Sequence, residues 1–323
     1  MKVLVVGGAG YIGSHAARVL RSHGHDVLIY DDLSTGFERL AKGFQLVVGD
    51  LGDRDRLRPA LAGADAVMHF AAFAYVGESV TNPRKYFHNN VESALTLLNT
   101  ALDAGVRKFV FSSTCAVYGV PRKVPITEDN PREPINPYGT SKLFIENALE
   151  AYSRAYGLRF AALRYFNAAG ADDSGEIGEL HDPETHLIPL ALAASQPDGP
   201  ALNIFGTDYP TPDGTCIRDY IHVNDLAEAH ALALARLAGG GESFAANLGT
   251  GHGCSVLEII RAVEEVTGNV VKRVTGPRRP GDPPALVADP TRAEQWLGWK
   301  AKRSLRDIVA TAWNWTQRSV ARV

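Results

Sequence analysis

The chain has 323 residues, of which 45% are hydrophobic and 21% charged, and its formal net charge is −3 at pH 7. These proportions are ordinary for a soluble globular protein with one large or two modest domains. The weak negative charge gives no electrostatic reason to expect nucleic acid or an anionic membrane as a partner. No apolar stretch reaches the ~18 residues that a membrane span needs. We therefore expect the protein to associate with neither nucleic acid nor a membrane.

The chain start and the cysteines both favour a cytoplasmic protein. Met1-Lys2 and the apolar residues that follow resemble a signal peptide, but glycines break the apolar run after four residues. The three cysteines, Cys115, Cys216 and Cys254, lie far apart and form no CxxC pair. We therefore expect reduced thiols, with neither disulfides nor a structural zinc.

Short apolar runs alternate with helical stretches in the first half of the chain. The predicted strands are 2–6, 26–30, 45–48, 65–70, 107–112 and 158–163. Apolar residues at a spacing of three to four predict helices over 12–23, 84–104 and 140–156. This alternation predicts right-handed βαβ units and hence an α/β fold with a doubly wound parallel sheet, the Rossmann arrangement. Because ligands bind at the carboxyl ends of such strands, functional residues should follow the apolar runs.

From about residue 168, glycine, proline and short polar stretches dominate. This composition is typical of a smaller, loop-rich lobe. Its predicted helices are 186–195, 224–238, 255–267, 290–297 and 304–318. We predict two domains, 1–167 with the sheet and 168–323 as a smaller α/β domain. Some segments of the second should cross back to the first.

The first strand runs directly into Gly7, Gly10 and Gly13, which have the spacing G-x-x-G-x-x-G. In this position the glycines permit a tight turn, let a diphosphate approach the backbone and bring the helix against the strand. The N–H groups and the dipole of that helix favour a negative group. Asp31 ends the second strand, where an acid suits the ribose hydroxyls of NAD and repels the 2′-phosphate of NADP. The alternative is a glycine-rich turn for an unrelated ligand.

A tyrosine and a lysine open the third long helix, and three hydroxyl residues end the strand before it. Tyr138 and Lys142 are four residues apart and share a helix face. An ammonium beside a phenol stabilises the phenolate, so we expect a lowered pKa at Tyr138 and a general base near neutral pH. Thr114 could bridge a substrate oxygen and that phenol. With the NAD motif, this predicts an alcohol–ketone redox site, although the tyrosine and lysine could also be an ordinary surface pair.

These features resemble the extended short-chain dehydrogenase/reductase superfamily. The resemblance rests on the glycine motif with Asp31, Phe70-Ala71-Ala72, Ser112-Ser113-Thr114, and the Tyr138 and Lys142 pair. Later segments are similar to those of UDP-glucose (UDP-galactose) 4-epimerases: Arg164-Tyr165-Phe166-Asn167, Phe205-Gly206-Thr207-Asp208-Tyr209, Arg218-Asp219-Tyr220-Ile221-His222-Val223 and Arg279-Pro280-Gly281-Asp282. The match covers nearly all of the chain in the expected order.

This resemblance implies that NAD stays bound as a catalyst while a UDP-sugar is inverted at C4. The Tyr138 phenolate would take the 4-OH proton, directly or through Thr114, and hydride would leave C4 and return to the opposite face. Lys142 would also hold the nicotinamide ribose. The implied cofactor contacts are Gly7, Gly10, Tyr11, Ile12, Gly13, Asp31, Asp50, Leu51, Phe70, Ala71, Ala72, Asn90, Ser112, Tyr138, Lys142 and Tyr165. Asn90 could instead be purely structural.

The same resemblance implies that the second lobe binds the nucleotide sugar. The implied substrate contacts are Thr114, Tyr138, Asn167, His186, Leu187, Asn203, Phe205, Arg218, Tyr220, Arg279, Asp282 and Leu286. Arg218 and Arg279 offer the forked donors that a diphosphate needs. Each assignment has a plainer alternative: Arg218 and Asp219 could form a local ion pair, and Asn167 and Asp282 could be turn residues.

The identity of the sugar and two competing functions stay open at this point. Leu286 stands where some relatives carry a bulkier tyrosine, which predicts tolerance of UDP-GlcNAc and UDP-GalNAc besides UDP-glucose and UDP-galactose. The stretch 73–79 also looks like UDP-xylose/UDP-arabinose 4-epimerases. A sugar 4,6-dehydratase would need carboxylates beside Thr114, where the sequence continues Cys115-Ala116. A non-catalytic NAD sensor would not need both Tyr138 and Lys142.

Two further expectations concern metals and assembly. His181, His186, Asp182 and Glu184 resemble metal ligands, but no second group of ligands follows, so we expect a solvated loop and no metal. Cys115 should be a packed thiol without an activating base. As in the family that the chain resembles, the helices 84–104 and 140–156 could form a four-helix bundle in a homodimer, although their apolar stripe could equally be intramolecular.

Overall fold

The structure is a computed structural model that describes residues 1–279 and 282–320. Pro280 and Gly281, which belong to one of the segments that carried the resemblance, lie outside the described residues. Within the ranges described, no helix is long and apolar enough to cross a membrane.

Strands and helices alternate through most of the chain. The strands are β1 (Lys2–Val6), β2 (Asp26–Asp31), β3 (Gln45–Val48), β4 (Ala66–His69), β5 (Lys108–Thr114), β6 (Arg159–Tyr165), β7 (Asn167–Ala169), β8 (Leu202–Phe205), β9 (Ile217–His222), β10 (Phe244–Leu248), β11 (Gly253–Ser255), β12 (Arg273–Gly276) and β13 (Ala285–Leu286). The helices are α1 (Tyr11–Ser22), α2 (Arg54–Leu61), α3 (Val76–Thr81), α4 (Pro83–Phe87), α5 (Ala94–Asp103), α6 (Pro137–Tyr156), α7 (Leu187–Ala194), α8 (Val223–Ala238), α9 (Val256–Thr267), α10 (Thr291–Leu297) and α11 (Leu305–Val320).

The main sheet has seven parallel strands in the order β10-β6-β5-β4-β1-β2-β3. The order reverses direction at β1, which confirms the predicted α/β doubly wound sheet. The six strands predicted in the first half are present, with ends that differ by no more than two residues. β10 comes from the second half of the chain and pairs with β6. The division into domains at residues 167 and 168 stays a prediction.

Two apolar layers enclose this sheet. One lies under α1 and α8 and contains β1 residues Val3 and Val5. The other lies under α2, α5 and α6 and contains Leu4 and Val6, the alternate residues of the same strand. Successive residues of a strand point to opposite faces, so burial of both sets requires helices on both sides. This explains why the predicted strands read as continuous apolar runs.

The second lobe contains two small sheets that the sequence did not locate. β9 lies between β11 and β13 and also pairs with β7, while β12 pairs with β8. A separate apolar core joins α7, α9 and α11 to these strands. The strands have only two to six residues each, which is too short for a clear alternation to show in the sequence.

The predicted helix 84–104 is correct in position but wrong in continuity. A π-helical turn, His88–Ser93, separates α4 from α5. The wider turn carries the buried Asn90, whose side chain hydrogen-bonds Phe73 and Ser141. Such turns are rare and are frequently found at functional sites. α6 begins at Pro137, three residues before its predicted start.

Candidate active site

The glycine turn joins β1 to α1 at the carboxyl edge of the main sheet. Gly7 has a φ of +79°, and a β-carbon there would lie 2.4 Å from the nitrogen of Ala71. A β-carbon at Gly13 would lie 2.2 Å from the Gly7 carbonyl oxygen. A β-carbon at Gly10 would meet only that oxygen, at 3.3 Å. The packing of the protein therefore demands glycine at 7 and 13, whereas at 10 the backbone is open to a ligand such as a diphosphate.

Asp31 ends β2 beside this turn. Its carboxylate accepts hydrogen bonds from the backbone nitrogens of Ala9 and Leu33, each at 2.9 Å. Burial raises the pKa of Asp31, and these two bonds oppose that rise. A carboxylate has about four acceptor sites, so acceptor capacity remains for two ribose hydroxyls. Asp50 is exposed and Leu51 is buried at the end of the neighbouring β3.

The structure brings Tyr138, Lys142 and Thr114 together where β5 ends and α6 begins. Asn136 caps α6 by accepting a hydrogen bond from the Gly139 nitrogen at 2.8 Å. Gly139 packs so closely that a β-carbon there would lie 2.5 Å from the Ala116 carbonyl oxygen. The first turn of α6 is therefore pressed against the end of β5, which places Tyr138 beside Thr114.

Lys142 lies beneath the tyrosine in a buried position. Its ammonium nitrogen donates to the Ser112 carbonyl oxygen at 2.8 Å and lies 6.0 Å from the centroid of the Tyr138 ring. Ser112 and Tyr165 share a hydrogen bond of 2.7 Å between their hydroxyls. One of the three ammonium donors of Lys142 is thus used, and two remain for hydroxyls of a bound ribose.

The electrostatics of this pair differ from the sequence-based expectation. We expected Lys142 to lower the pKa of Tyr138, but burial raises that pKa well above its usual range, with a further contribution from Tyr165. A hydrogen bond with the Thr114 side chain opposes the rise. Burial also lowers the pKa of Lys142 to about 7. The expected lowering is therefore wrong for the protein groups alone, because desolvation of the buried phenol outweighs the hydrogen bond that opposes it.

A buried ionic network supports the site from behind, and the sequence did not reveal it. Glu146 lies one turn after Lys142 and pairs with Arg164 through two hydrogen bonds of 2.9 and 2.6 Å. It also accepts from Ser113 at 2.5 Å. Arg164 donates to the Tyr118 hydroxyl at 2.8 Å. The i, i+4 spacing of Lys142 and Glu146 on α6 was the available signal, but nothing in the sequence pointed to Arg164 as the partner.

The predicted nucleotide-binding residues converge on β9. Arg218 donates to a carboxylate oxygen of Asp282, and its side chain is 12% exposed. The alternative ion pair with Asp219 is wrong, because Asp219 turns to the other side and accepts from Thr250 and from the backbone of Ala288. The pairing of Arg218 with Asp282 joins two residues that are 64 positions apart.

The other predicted substrate residues line the same region. Asn167 and Tyr220 are register partners in β7 and β9, and Asn167 donates to the Asp219 carbonyl oxygen at 3.3 Å. Asn167 is therefore a strand residue and not a turn cap. Asn203 and Phe205 expose their side chains on β8, and the Arg279 guanidinium lies 4.2 Å from the centroid of the Phe205 ring. Leu286 pairs with Arg218 in register.

The model of the NAD dependent epimerase/dehydratase family matches residues 3–249 of the chain. The chain belongs to this family. A curated UDP-glucose 4-epimerase of Rhizobium meliloti (strain 1021) is 51% identical over 318 residues, which is 98% of this chain and 97% of that protein.

Solved structures agree with this membership. A UDP-glucose 4-epimerase from Brucella ovis in complex with NAD is 50% identical, with a TM-score of 0.94 over 97% of each chain. One from Stenotrophomonas maltophila, with bound NAD and formylated UDP-arabinopyranose, is 43% identical, with a TM-score of 0.95 over 100% of this chain and 99% of that one.

These relatives confirm the resemblance, the Rossmann-type fold and NAD as the cofactor. The chain is an NAD-dependent enzyme of the epimerase/dehydratase family, so the interpretation as a non-catalytic NAD sensor is wrong. The open backbone at Gly10, the acceptor capacity of Asp31 and the unused donors of Lys142 all fit NAD. The assignment of individual site residues stays a prediction.

The contacts of Asn90 and Cys115 favour a structural role for both residues. Asn90 accepts from the Phe73 nitrogen at 2.9 Å and donates to the Phe73 oxygen and to Ser141 at 3.0 and 3.1 Å. It also accepts from Asn89 at 2.9 Å, so its side chain is fully occupied by the protein. This favours the structural role over a direct cofactor contact. Burial raises the pKa of Cys115 to about 12, as expected of a packed thiol.

His186 precedes α7, and Leu187 is the first residue of that helix. The segment that contains His181 and His186 is a loop in which Asp182, Pro183, Thr185 and His186 are exposed, as expected, but carboxylates lie close to both histidines. The carboxylate of Glu179, whose side chain is 6% exposed, lies 3.3 Å from His181 and 2.9 Å from His186. Glu184 contacts the same two histidines, at 3.4 and 2.9 Å. Sequence reasoning missed Glu179, although it lies only two residues before His181.

Proposed function

We propose that this enzyme interconverts UDP-glucose and UDP-galactose by inverting C4 through a transient 4-keto sugar. The observation that carries the proposal is the buried contact of Tyr138 with Thr114 above Lys142, at the sheet edge that also holds the glycine turn. An acid–base pair that opens onto a dinucleotide-binding turn can move a proton at a sugar hydroxyl.

The residues of the chain have separate tasks in this reaction. When bound, NAD⁺ accepts and returns the hydride and adds positive charge beside the phenol. Tyr138 holds the proton of the 4-hydroxyl, and Thr114 orients that hydroxyl through its own hydrogen bond. Lys142 is fixed by the Ser112 carbonyl and presents its remaining donors to a ribose. Burial around Tyr138 excludes water, which would otherwise compete for the proton.

The nucleotide would be held in the second lobe. The Arg218 guanidinium, fixed by Asp282, matches the geometry of a diphosphate oxygen pair. Arg279, on the face of the Phe205 ring, supplies a second positive charge. The exposed backbone edge around Asn203 offers hydrogen bonds to uracil.

Replacement of Tyr138 by phenylalanine tests this proposal. We expect turnover of UDP-galactose to fall at least ~100-fold, since loss of a general acid–base typically costs 10²–10⁴ in rate. The measurement is chromatography of UDP-hexoses after incubation with protein as purified, without added NAD. Tyr156→Phe is a matched control, because Tyr156 lies on the same helix and is 59% exposed. Normal interconversion by the Tyr138 variant would rule the mechanism out.

The same site suggests a wider range of sugars. Leu286 and Cys115 both pack against one apolar cluster, and Cys115 directly follows Thr114 in the chain, so a bulkier side chain at 286 would narrow the sugar pocket. We infer that UDP-GlcNAc and UDP-GalNAc are also substrates. Leu286→Tyr should lose the N-acetyl activity and keep the hexose activity. Absence of acetamido-sugar turnover in both proteins would contradict this inference.

A pentose is the second candidate substrate. The Stenotrophomonas maltophila relative was solved with a formylated UDP-arabinopyranose, and the stretch 73–79 looked similar to UDP-xylose/UDP-arabinose 4-epimerases. Measuring the turnover of UDP-xylose and of UDP-galactose by equal amounts of enzyme distinguishes a pentose substrate from a hexose substrate. If kcat/KM is larger for UDP-xylose than for UDP-galactose, the pentose and not the hexose is the main substrate.

We also propose a cytoplasmic homodimer. The three cysteines are free thiols, as a reducing compartment would keep them. Phe87 and Phe144 are 41% and 51% exposed on the two helical segments that were predicted to form a four-helix bundle. Light scattering of the wild type should give twice the chain mass, and Phe144→Glu should give monomers.

A further inference from the structure

Four potential metal ligands meet between β7 and α7, close to the glycine turn. We call Glu179, His181, Glu184 and His186 the His–Glu cluster. One potential ligand atom from each, two imidazole nitrogens and two carboxylate oxygens, lies within 4.8 Å of every other. The proposed epimerase mechanism uses none of the four as an acid or base, and the family resemblance implies a substrate contact for His186 alone.

Four of the six distances between ligand atoms in the cluster are close to those of a tetrahedral ion site, and all six are within 4.8 Å. The contacts between imidazole nitrogens and carboxylate oxygens measure 2.9, 2.9, 3.3 and 3.4 Å. Ligands placed ~2.0 Å from a tetrahedral zinc lie about 3.3 Å from one another. The Nδ1 atoms of both histidines converge on the same two carboxylates, so all four groups point towards one common position.

Ion pairing with Glu179 and Glu184 accounts for His186, whose Nδ1 lies 2.9 Å from each carboxylate, but it does not account for His181. His181 Nδ1 is buried and has no hydrogen bond of acceptable geometry, although two carboxylates lie 3.3 and 3.4 Å away. Its nitrogen is therefore directed at neither oxygen. The two imidazole rings are 4.8 Å apart between centroids, where two positive charges would repel each other. Among the described residues, no lysine or arginine forms an ion pair with Glu179 or Glu184.

The ligand types select the ion. Two imidazoles and two carboxylates suit a divalent transition metal, with zinc foremost, whereas magnesium and calcium prefer oxygen ligands alone. A neutral site results, since two carboxylates balance one divalent cation. The Glu179 side chain is only 6% exposed. A carboxylate buried to this extent requires a cationic partner.

We propose that the His–Glu cluster binds one zinc ion per chain. All four ligands lie within the segment 179–186, so the ion would hold this segment in a single conformation. His181 packs edge-on against Tyr11 and Tyr75, with centroid distances of 6.3 and 6.2 Å, and Tyr11 opens the helix of the glycine turn. The ion therefore has a positioning role: it fixes the shape of the segment that packs against Tyr11 and leads into α7.

Metal content and thermal unfolding test the proposal on the full-length holoenzyme. The protein is dialysed against a chelator, then against buffered zinc, and zinc per chain is measured by mass spectrometry. We expect one equivalent in the wild type and a rise in Tm on reloading. The double variant Glu179→Gln/His181→Asn should lose both effects. The matched control, Glu176→Gln/His23→Asn, removes one carboxylate and one imidazole from outside the cluster and should keep both.

A cobalt substitution supports the test without any variant. Co²⁺ at a site with two histidines and two carboxylates should give the strong visible absorption of tetrahedral cobalt, which zinc then abolishes. Wild-type protein without stoichiometric zinc, or with the weak spectrum of solvated cobalt, would overturn the proposal. Retention of zinc by the Glu179/His181 variant would do the same, since the ion would then be bound elsewhere, for example by the free cysteines.

Discussion

Alanine at Gly10 and at Gly13 should separate the demands of NAD binding from those of packing. A β-carbon at Gly13 would lie 2.2 Å from the Gly7 oxygen and 2.9 Å from the Gly8 Cα. α1 must then move away from β1, and overpacking of this kind costs about 1–3 kcal/mol. At Gly10 the new β-carbon meets a single atom at 3.3 Å, and its φ of −84° suits alanine. We expect stability at Gly10 to change by less than about 1 kcal/mol.

The effect on NAD should be the reverse. A methyl at Gly10 stands where the diphosphate approaches the helix N-terminus, so affinity should fall at least ~10-fold, or about 1.4 kcal/mol. After removal of NAD, calorimetry should place Gly10→Ala within about 1.5 °C of wild type and Gly13→Ala about 2–5 °C lower, since 1 kcal/mol shifts the Tm of a chain of this length by roughly 1.5 °C. NAD is then titrated into each protein by calorimetry. Gly77→Ala is the control, because a β-carbon there meets nothing within 4 Å. Equal NAD affinity of Gly10→Ala and wild type would refute the reasoning.

Three further predictions concern the buried charges. Glu146→Gln leaves Arg164 buried without its partner and should cost about 3–5 kcal/mol in urea unfolding; the half-exposed Glu150→Gln should cost less than about 1 kcal/mol, and similar losses would argue against the network. Burial lowers the pKa of Lys142 to about 7, so between that pH and the unfolded pKa of ~10.4 the unfolded chain binds one more proton. Stability due to Lys142 therefore decreases as pH falls through this window, and the stability gain of Lys142→Met should grow by about 1.4 kcal/mol per pH unit from pH 10 to 7; a gain independent of pH would contradict the shift. Arg218→Lys should raise KM for UDP-galactose ~10-fold with little change in kcat, because a point charge replaces a fork; an unchanged KM in steady-state assays would remove Arg218 from substrate binding.

The features that suggested an NAD site could be predicted from local sequence patterns. The glycine spacing, the acid at the end of β2 and the i, i+4 pair on α6 are short-range features, and the strand–helix alternation fixes where they meet. Tyr138 and Lys142 share a helix face at any tertiary arrangement, so their contact needed no knowledge of the fold. The substrate side depends on short strands and loops, and only the likeness to a known family suggested its residues.

The sign of the Tyr138 pKa shift was not predictable from the sequence, since it depends on how deeply the pair is buried. Ion pairs between residues that are distant in the chain were equally unpredictable from the sequence. Arg218 meets Asp282 and Glu146 meets Arg164 because separate segments pack on one another.

By itself the sequence determined the parallel sheet, the glycine turn and the proximity of Tyr138 to Lys142, because each rests on residues that are close together in the chain. Only the tertiary structure decided which charges are buried, which arginine faces which carboxylate, and that Glu179 joins two histidines and a second acid at one point. Burial and convergence depend on the packing of distant segments, and local spacing carries no information about either.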